Sequence, residues 1–363
     1  MLPKKSFPSY NLIGNKYRRE LIDIKPIRIA QIGINRHSHA PEVFHTLKLH
    51  PELFDVAGYA LVEDERITCA DKLTVFEGFC ELTLDEILND PTIEAVTVET
   101  DEIHLTKYAQ MAADHGKHIH MEKPGSQNTK AFERLARTLQ ANGKVFHVGY
   151  MYRYNPVVSD AIARAKAGEF GTVYSVEAHM SRWDYKITRE WFGSFRGGMM
   201  FYLGCHLIDL VLQIQGIPQN VIPLNTATGL DGVNTEDLGF AVLQYPNAVS
   251  VIRMGGTEVG GFQRRQLVIC GSKRTVEIKP LEASAPKTIT NGAKYMLFAE
   301  KTERFVGEDG HTKETHVKSE VFQRYEAMLL AFADMVHGNK KNPYTYDYEI
   351  ELFKTIMKCC GTE

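Results

Sequence analysis

The first half of the chain alternates short apolar runs with longer amphipathic stretches. The apolar runs have the length of buried strands, and the stretches between them repeat apolar residues at helical spacing. Thr83 and Glu86 mark a helix start, because the threonine can accept from the third amide while the glutamate reaches back. Strands that alternate with helices indicate a parallel, doubly wound sheet. We predict strands at 27–32, 54–62, 95–99, 118–121 and 145–150, and helices from Pro41, from Thr83, over 103–115 and over 130–141.

Beyond about Tyr150 the pattern changes, because strand-like runs follow one another through tight turns typical of antiparallel hairpins. The chain therefore predicts an α/β fold: a parallel sheet in 27–150, then an α+β domain in 151–363 with a large, mostly antiparallel open sheet. Its C-terminal helices are candidates to pack back on the first domain. Residues 1–26 are polar and basic, and we expect an N-terminal arm. The strands predicted here are 173–180, 239–245, 249–254, 267–270 and 275–278, with a helix over 321–337.

The composition excludes several classes of protein. A chain of 363 residues is long enough for two domains, and its 44% hydrophobic and 24% charged residues are those of an ordinary globular protein. The net charge of −3 gives no electrostatic reason to expect nucleic acid or a membrane as partner. Because no apolar run reaches about 20 residues and no signal-peptide core is present, we expect a cytoplasmic protein. The six cysteines lack framework spacing and are expected to be reduced thiols.

The turn after the first predicted strand, 33–38, matches part of a dinucleotide-binding fingerprint. Gly33 meets the demand for a tight turn. Asn35 stands where the second glycine belongs, and asparagine is the residue after glycine most at ease in the left-handed region. Ser38 takes the place of the third small residue. A plain turn between a strand and a helix is the alternative interpretation.

The second predicted strand should end in a carboxylate that binds the adenosine ribose. The acidic run 63–65 follows that strand one or two places late, and Glu63 is our candidate for the ribose contact. An acidic cluster disfavours a 2′-phosphate, so NAD is expected rather than NADP. Arg36 argues in the opposite direction.

Two pairs of histidines, His37 with His39 and His118 with His120, have the spacing that places both rings on one face of a strand. No carboxylate or thiol stands at zinc-like spacing beside either pair, so we expect packed or solvent-facing histidines and no metal.

The segment Glu122-Lys123-Pro124 closes the fourth predicted strand. Carboxyl ends of parallel strands are where such sheets place their chemistry. Because proline disfavours a helical residue before it, we expect an extended turn that aims the Lys123 amine outward. A surface lysine in a loop is the alternative.

The segment 196–209 predicts a helix that is entered through the flexible pair Gly197-Gly198. Tyr202 and His206 are four apart on this helix, and Asp209 is three beyond the histidine. Such partners can set the tautomer and the basicity of an imidazole. A histidine packed in the core is the alternative.

The chain resembles the family of nicotinamide-dependent dehydrogenases that includes glucose-fructose oxidoreductase, inositol dehydrogenase and MocA-like proteins. The resemblance implies a Rossmann domain, followed by an α/β domain whose open sheet commonly forms an oligomer face. It also implies reversible oxidation of a secondary alcohol on a sugar, cyclitol or related polyol by hydride transfer to NAD(P). The segments that carry it, in order, are Thr100-Asp101-Glu102-Ile103-His104, Glu122-Lys123-Pro124, 149–156, 168–173 and the helix 197–209.

Matched residue by residue, the resemblance gives Lys123 the reacting oxygen to stabilise, makes His206 the general base, and places Tyr202 beside them as a third catalytic residue. The cofactor is expected to contact Gly33, Ile34, Asn35, Arg36, His37, Glu63, Thr100, Asp101, His104, Glu122, Lys123 and Arg153. The substrate is expected to contact Lys123, Tyr150, Arg153, Asn155, Trp183, Asp184, Tyr202, Cys205 and His206.

One departure concerns Tyr202, because the family often has an aspartate four residues before the histidine. A phenol can orient the imidazole but cannot supply negative charge, so His206 should be a weaker base here. The glycine-poor turn is a second departure. We expect an NAD-dependent oxidoreductase for a secondary hydroxyl of a sugar, glycoside or cyclitol, with ring C3 as a candidate position, in a homo-oligomer (dimer, tetramer or higher). An NAD-retaining lyase or glycosidase that works through transient oxidation and elimination, and a non-catalytic ligand sensor, remain as alternatives.

Overall fold

The computed structural model describes residues 25–37, 39–286 and 296–362, so the predicted arm lies outside it except for its last two residues. The first sheet has five parallel strands in the order β2-β1-β3-β4-β5, which confirms the doubly wound sheet. Every residue of β3 is buried, as expected for a parallel sheet covered on both faces. The strands are β1 (Ile27–Ile32), β2 (Phe54–Ala60), β3 (Ala95–Val98), β4 (His118–Met121) and β5 (Phe146–Val148).

One helix of this first half begins at the cap that the sequence predicted, Thr83. At Thr83 the hydroxyl accepts from the Glu86 amide at 3.2 Å, and the Glu86 carboxylate accepts from the Thr83 amide at 2.7 Å. The predicted capping box is therefore confirmed. The helices are α1 (Ala40–Leu49), α2 (Glu65–Thr68), α3 (Leu84–Asn89), α4 (Leu105–Asp114) and α5 (Thr129–Ala141).

The second sheet has eight strands in the order β15-β14-β11-β10-β6-β9-β8-β7, and only β6 and β9 pair in parallel. Burial alternates along β8, so one face of that strand is covered and the other is open. The large, mostly antiparallel sheet is thus confirmed. Its strands are β6 (Val173–His179), β7 (Asn220–Pro223), β8 (Leu238–Tyr245), β9 (Ala248–Gly255), β10 (Gln266–Gly271), β11 (Arg274–Ile278), β14 (Glu300–Val306) and β15 (Thr312–Lys318); β12 (Ala283–Ser284), β13 (Met296–Phe298) and β16 (Phe322–Gln323) form a small separate sheet.

Several elements differ from the sequence-based expectation. The helix predicted over 321–337 begins only at Glu326, because its first residues form β16. The hairpin of β14 and β15 was missed, since every residue of β15 is exposed and an exposed strand has no apolar run to mark it. The second-domain helices are α6 (Pro156–Lys166), α7 (Lys186–Trp191), α8 (Cys205–Gln215), α9 (Glu326–Val336) and α10 (Tyr346–Cys359).

Two features of the fold position the candidate site. β1 lies between β2 and β3, so the strand order reverses there and leaves a crevice at the carboxyl ends of β1 and β3. The helix α10 contacts the first domain, where Phe353 stacks on Phe132 of α5 with ring centroids 4.2 Å apart. Within the described ranges, no helix is long and apolar enough to cross a membrane.

Candidate active site

Lys123 follows β4 and is buried, with its amine turned inward rather than outward as the sequence suggested. The Nζ atom donates to the carbonyl of Tyr202 at 2.9 Å, lies 3.5 Å from the Glu122 carboxylate and sits over the Tyr202 ring at 4.4 Å. Burial opposes the ammonium charge, but the Glu122 carboxylate 3.5 Å away favours it, and the pKa of Lys123 is held above its usual value. The lysine is therefore a fixed positive charge at the edge of the sheet.

The segment that carries Tyr202 and His206 enters α8 through a π-helical turn, Met200–Gly204. Gly197 and Gly198 precede it with φ of +81° and +42°. A Cβ on Gly198 would lie 2.2 Å from the carbonyl oxygen of Glu236, so the pair is required for close backbone approach rather than for flexibility. A π-turn is frequent at functional sites, and it changes which side chains share a face.

His206 lies in the first turn of α8 and is buried between two tyrosines. Its ring meets Tyr150 and Tyr152 edge-on, with centroids 5.9 and 5.3 Å away. Its Nδ1 atom has no hydrogen-bond partner among the described residues. Burial, and next the charge of Lys123, hold the pKa of His206 well below its usual value, so the imidazole is neutral and, as the sequence suggested on other grounds, a weak base.

Tyr202 does not orient His206 as predicted. Its hydroxyl donates to the carbonyl of His37 at 2.6 Å, and its ring packs between Lys123 and Arg182. The π-turn explains the error, because a spacing of four residues no longer places the two side chains one above the other. Cys205, the other expected neighbour, is a buried thiol whose pKa is raised by burial to about 12, so it is neutral.

The turn after β1 has the glycine conformation that the fingerprint requires. Gly33 has φ of +85°, and a Cβ there would lie 2.7 Å from the Cβ of Thr100. Asn35 is not left-handed as predicted. Its side chain is buried and ties the turn down: Nδ2 donates to Glu102 at 2.8 Å, and Oδ1 accepts from the His37 amide at 2.7 Å.

The remaining residues of the turn divide between packing and exposure. Ile34 is buried in a small apolar cluster with Phe44 and Phe76, whereas Arg36 is exposed. The His37 ring stacks on Trp191 at 4.0 Å. Sequence reasoning missed Trp191, which lies at the end of a six-residue helix without a motif around it.

The acidic residues after β2 face different ways. Glu63 accepts from Lys107 Nζ and from the Tyr108 hydroxyl, both at 2.7 Å, and lies 3.7 Å from His104. Glu65 is buried, accepts from the Val62 amide at 2.9 Å, and has an Oε1 atom without a hydrogen bond among the described residues.

Glu65 Oε1 lies beside the nucleotide turn, only 2.9 Å from the position of a Cβ on Gly33. Burial raises the pKa of Glu65 to about 7. The expectation that Glu63 contacts the ribose therefore conflicts with its engagement on α4, and Glu65 is the better-placed acid.

Arg153 and Asn155 are structural residues rather than ligand contacts. The Arg153 guanidinium makes four hydrogen bonds, at 2.6 to 3.2 Å, to Asp209 and Glu349, and all three side chains are buried. Asn155 caps α6, where its Oδ1 accepts from the amides of Val157 and Val158. Because these polar groups are already engaged within the protein, the geometry does not favour the expected contacts of Arg153 and Asn155 with cofactor or substrate, which stay predictions.

The other predicted residues lie in two segments, 100–101 and 183–184. Thr100 is buried against Gly33, and Asp101 bonds within its own turn through its carbonyl to the His104 amide at 2.8 Å. Trp183 is 55% exposed and meets Tyr185 edge-on at 4.8 Å. Asp184 accepts from Arg182 Nε at 2.7 Å.

These residues fit a dinucleotide. Glu65 Oε1, Thr100 Oγ1 and Glu102 Oε1 are buried without hydrogen-bond partners among the described residues, and the first two lie beside Gly33 at the carboxyl end of β1. Unpaired polar atoms at a switch point suit the hydroxyls of a nucleotide ribose. In the described part of the chain, no group of three or more His, Cys, Asp or Glu residues could hold a metal ion.

Comparisons with known proteins agree with this geometry. Residues 27–150 match the family model "Oxidoreductase family, NAD-binding Rossmann fold", and residues 158–277 match "GFO/IDH/MocA C-terminal domain". The oxidoreductase YdgJ of Escherichia coli is 22% identical over 90% of this chain and 94% of its own.

Two further relatives have names that include a substrate. The scyllo-inositol 2-dehydrogenase (NADP(+)) IolW of Bacillus subtilis is 25% identical over 51% of this chain and 52% of its own. Among solved structures, the UDP-N-acetylglucosamine 3-dehydrogenase GnnA of Acidithiobacillus ferrooxidans has a TM-score of 0.70 at 15% identity, over 93% of this chain and 98% of that one.

Proposed function

Because the chain belongs to the Gfo/Idh/MocA family of oxidoreductases with an NAD-binding Rossmann domain, we propose that it oxidises a secondary hydroxyl of a sugar, glycoside or cyclitol. The observation that carries the proposal is the buried, charged Lys123, which follows the fourth strand of the sheet and lies near enough to the neutral His206 of α8 for its charge to lower the pKa of that imidazole. A fixed cation and a proton acceptor are the two groups that alcohol oxidation asks of the protein.

Lys123 has a donor to offer the reacting oxygen. One of its three N–H groups donates to the Tyr202 carbonyl and a second faces Glu122 at 3.5 Å, which leaves a third. A positive charge in a buried site stabilises an alkoxide more than it does in water. His206 is the residue proposed to accept the hydroxyl proton, and a bound nicotinamide would supply the acceptor for the hydride.

The candidate substrate surface lies on the segment before α7. Trp183 exposes its ring and is held edge-on against Tyr185, which is 71% exposed. An exposed aromatic can stack on the apolar face of a sugar ring. Since one relative is named for an inositol and a structural neighbour for position 3 of an amino sugar nucleotide, a ring alcohol is the proposed substrate, with C3 of a glycoside as a position to test.

An NAD-retaining lyase or glycosidase is the second candidate, and one observation favours it. Trp191 and Tyr202 both contact His37, so the second domain closes over the nucleotide turn. A cofactor beneath such a closure would leave slowly.

We also propose a homo-oligomer, because the eight-stranded sheet has an open face; light scattering of the purified protein measures its size. The cytoplasmic location stays a prediction.

A substrate panel tests the proposal. Purified protein is incubated with NAD and with inositols, aldoses, uridine-diphosphate sugars and aryl glycosides, and reduction is followed by absorbance. We expect NADH formation with a ring alcohol, lost in Lys123→Ala. Aglycone release without net NADH, together with NAD that stays bound through gel filtration, would replace dehydrogenation by the second candidate. If protein that is shown to bind NAD reacts with no compound of the panel, the result would count against both the dehydrogenase and the lyase or glycosidase.

A further inference from the structure

Two arginines of the second domain, Arg265 and Arg324, share one buried carboxylate. Glu282 accepts from Nη1 of Arg265 at 3.0 Å and from Nε and Nη2 of Arg324 at 3.0 and 2.8 Å. The Tyr152 hydroxyl donates a fourth bond at 2.8 Å, which fills the acceptor sites of the carboxylate. Among the described residues, no other carboxylate forms an ion pair with either guanidinium. This arginine pair therefore carries one positive charge more than Glu282 balances.

Each member of the arginine pair keeps donors that the protein does not use. In the described part of the chain, Nη2 of Arg265 and Nη1 of Arg324 make no hydrogen bond. The two side chains are only 7% and 13% exposed. A buried charge without a counter-charge is costly, and guanidinium groups bind carboxylate and phosphate oxygens through paired donors. The pair therefore suits an acidic ligand.

The arginine pair adjoins the candidate active site. The buried Tyr152 lies between them, because its hydroxyl meets Glu282 while its ring meets that of His206 edge-on at 5.3 Å. After burial and the charge of Lys123, the charges of both arginines also lower the pKa of His206. One tyrosine side chain thus separates the pair from the proposed base.

A hydroxyl beside the arginine pair is also unpaired. Tyr325 is buried, its ring centroid lies 5.9 Å from the Arg324 guanidinium, and its hydroxyl has no hydrogen bond among the described residues. The ring of His39 lies 5.4 Å away with its side chain 41% exposed, so solvent reaches this side of the pair. The Glu42 carboxylate lies there too, but it faces His39 at 3.9 Å. A ligand that enters beside His39 would meet a hydroxyl donor next to the arginine pair.

We propose that the ring alcohol oxidised by this protein carries an acidic substituent, a carboxylate or a phosphate, which Arg265, Arg324 and the Tyr325 hydroxyl bind. The inference rests on the proposed function and names a class of substrate within it. An acidic substituent balances the charge of the arginine pair, whereas a neutral polyol leaves it unbalanced. A purely structural role, in which both arginines only hold Glu282 and Tyr152 in place, is the alternative and predicts no preference for acids.

Isothermal titration calorimetry of the full chain, saturated with NADH, measures binding without turnover, because the reduced cofactor cannot accept a hydride. D-glucuronate and D-glucose 6-phosphate are compared with D-glucose, and inositol 1-phosphate with inositol. We expect an acid to bind at least about tenfold tighter than its neutral parent, since hydrogen bonds between charged groups are stronger than neutral ones. Tighter binding of glucuronate indicates a carboxylate, and tighter binding of a sugar or inositol phosphate indicates a phosphate. Acids that bind no tighter than their neutral parents would overturn the inference.

Two substitutions test whether the arginine pair holds the acid. Arg324→Gln should lower the ratio of acid affinity to neutral affinity at least about tenfold. Tyr325→Phe should lower the same ratio roughly fivefold, and it should fold, because the hydroxyl that it removes has no partner among the described residues. Arg264→Gln is the matched control, since that guanidinium is exposed and bonds to Glu258. An unchanged ratio in every variant that folds would overturn the assignment.

Turnover separates this inference from the proposed function. With NAD, kcat/KM should be higher for the acid than for its neutral parent, and Arg324→Gln should raise KM for the acid. A neutral ring alcohol that is oxidised more efficiently than its acid would overturn the inference and leave the proposed function standing. An acid that binds tightly while no ring alcohol of either kind yields NADH would contradict the proposed function, and the acid site would stand.

Discussion

The hydroxyl of Tyr202 donates a 2.6 Å hydrogen bond to the carbonyl of His37, a residue 165 positions earlier in the chain. The bond joins the second domain to the nucleotide turn of the first. Trp191 strengthens the same link by stacking on the His37 ring. We therefore expect cofactor entry and release to depend on the position of the second domain.

Tyr202→Phe should therefore accelerate cofactor release. The variant keeps the ring over Lys123 and loses only the bond to His37, which at about 1 kcal/mol corresponds to roughly a fivefold faster NAD dissociation. Stopped-flow fluorescence measures this, with Trp191 as reporter. Tyr185→Phe, at an exposed tyrosine of the same domain, is the control. Equal release rates in both variants would show that the bond does not hold the turn.

Lys123→Ala should abolish turnover while NAD affinity stays within several-fold of the parent. The amine interacts with charge that develops in the transition state, so its loss should lower kcat by at least about 10²-fold. Lys117→Ala is a matched control, because that lysine is also buried but donates to carbonyls of Asp90 and Ile93, before β3. It should lower stability and spare kcat. Retention of most of kcat without Lys123 would remove it from the mechanism.

For cofactor choice, kcat/KM should favour NAD over NADP. We attribute the expected preference to Glu65, whose Oε1 atom lies near Gly33, rather than to Glu63, which is bonded to Lys107 and Tyr108. Glu65→Gln should thus lower the ratio of kcat/KM with NAD to kcat/KM with NADP more than Glu63→Gln does. A parent enzyme that prefers NADP would mean that Arg36 dominates the pocket.

The ionisation of Glu102 should contribute to the pH dependence of the free energy of unfolding. Burial raises the pKa of this carboxyl group from 4.5 to about 7. The folded state therefore favours the protonated form, and stability falls as pH rises from about 4.5 through 7. Glu102→Gln keeps an acceptor for Asn35 and cannot ionise, so above pH 7 it should be more stable than the parent by up to about 3 kcal/mol.

Urea unfolding between pH 4 and 9 measures this difference. Glu77→Gln, at an exposed position, is the control, and its free energy of unfolding should differ from that of the parent by an amount that does not change with pH. A difference that grows as pH falls would mean that Glu102 is ionised in the folded protein.

Arg153→Met should destabilise the protein, because it leaves the carboxylates of Asp209 and Glu349 buried without their partner. Loss of one partner of a buried ion pair costs about 3–5 kcal/mol. The triple change Arg153→Met, Asp209→Leu and Glu349→Leu should recover much of that loss. Thermal unfolding measures both. If Arg153→Met kept its stability but lost substrate affinity, the result would show that Arg153 contacts the substrate.

Much of the architecture was determined by the sequence itself. The alternation of apolar runs and helical stretches predicted the parallel sheet, and Thr83 with Glu86 predicted a capping box that the structure contains. These features depend on neighbours within a few residues, so the local pattern carries them. The position of Lys123 after β4 followed for the same reason.

Tertiary structure decided how side chains are used. Arg153 looks like a ligand-binding residue in its motif, yet Asp209 and Glu349, the latter 196 residues away, consume its guanidinium. The π-turn before α8 separates Tyr202 from His206, and Tyr202 bonds across the domains instead. Partners distant in the chain and a single change of helical pitch leave no signal in local spacing, so only packing could assign these residues.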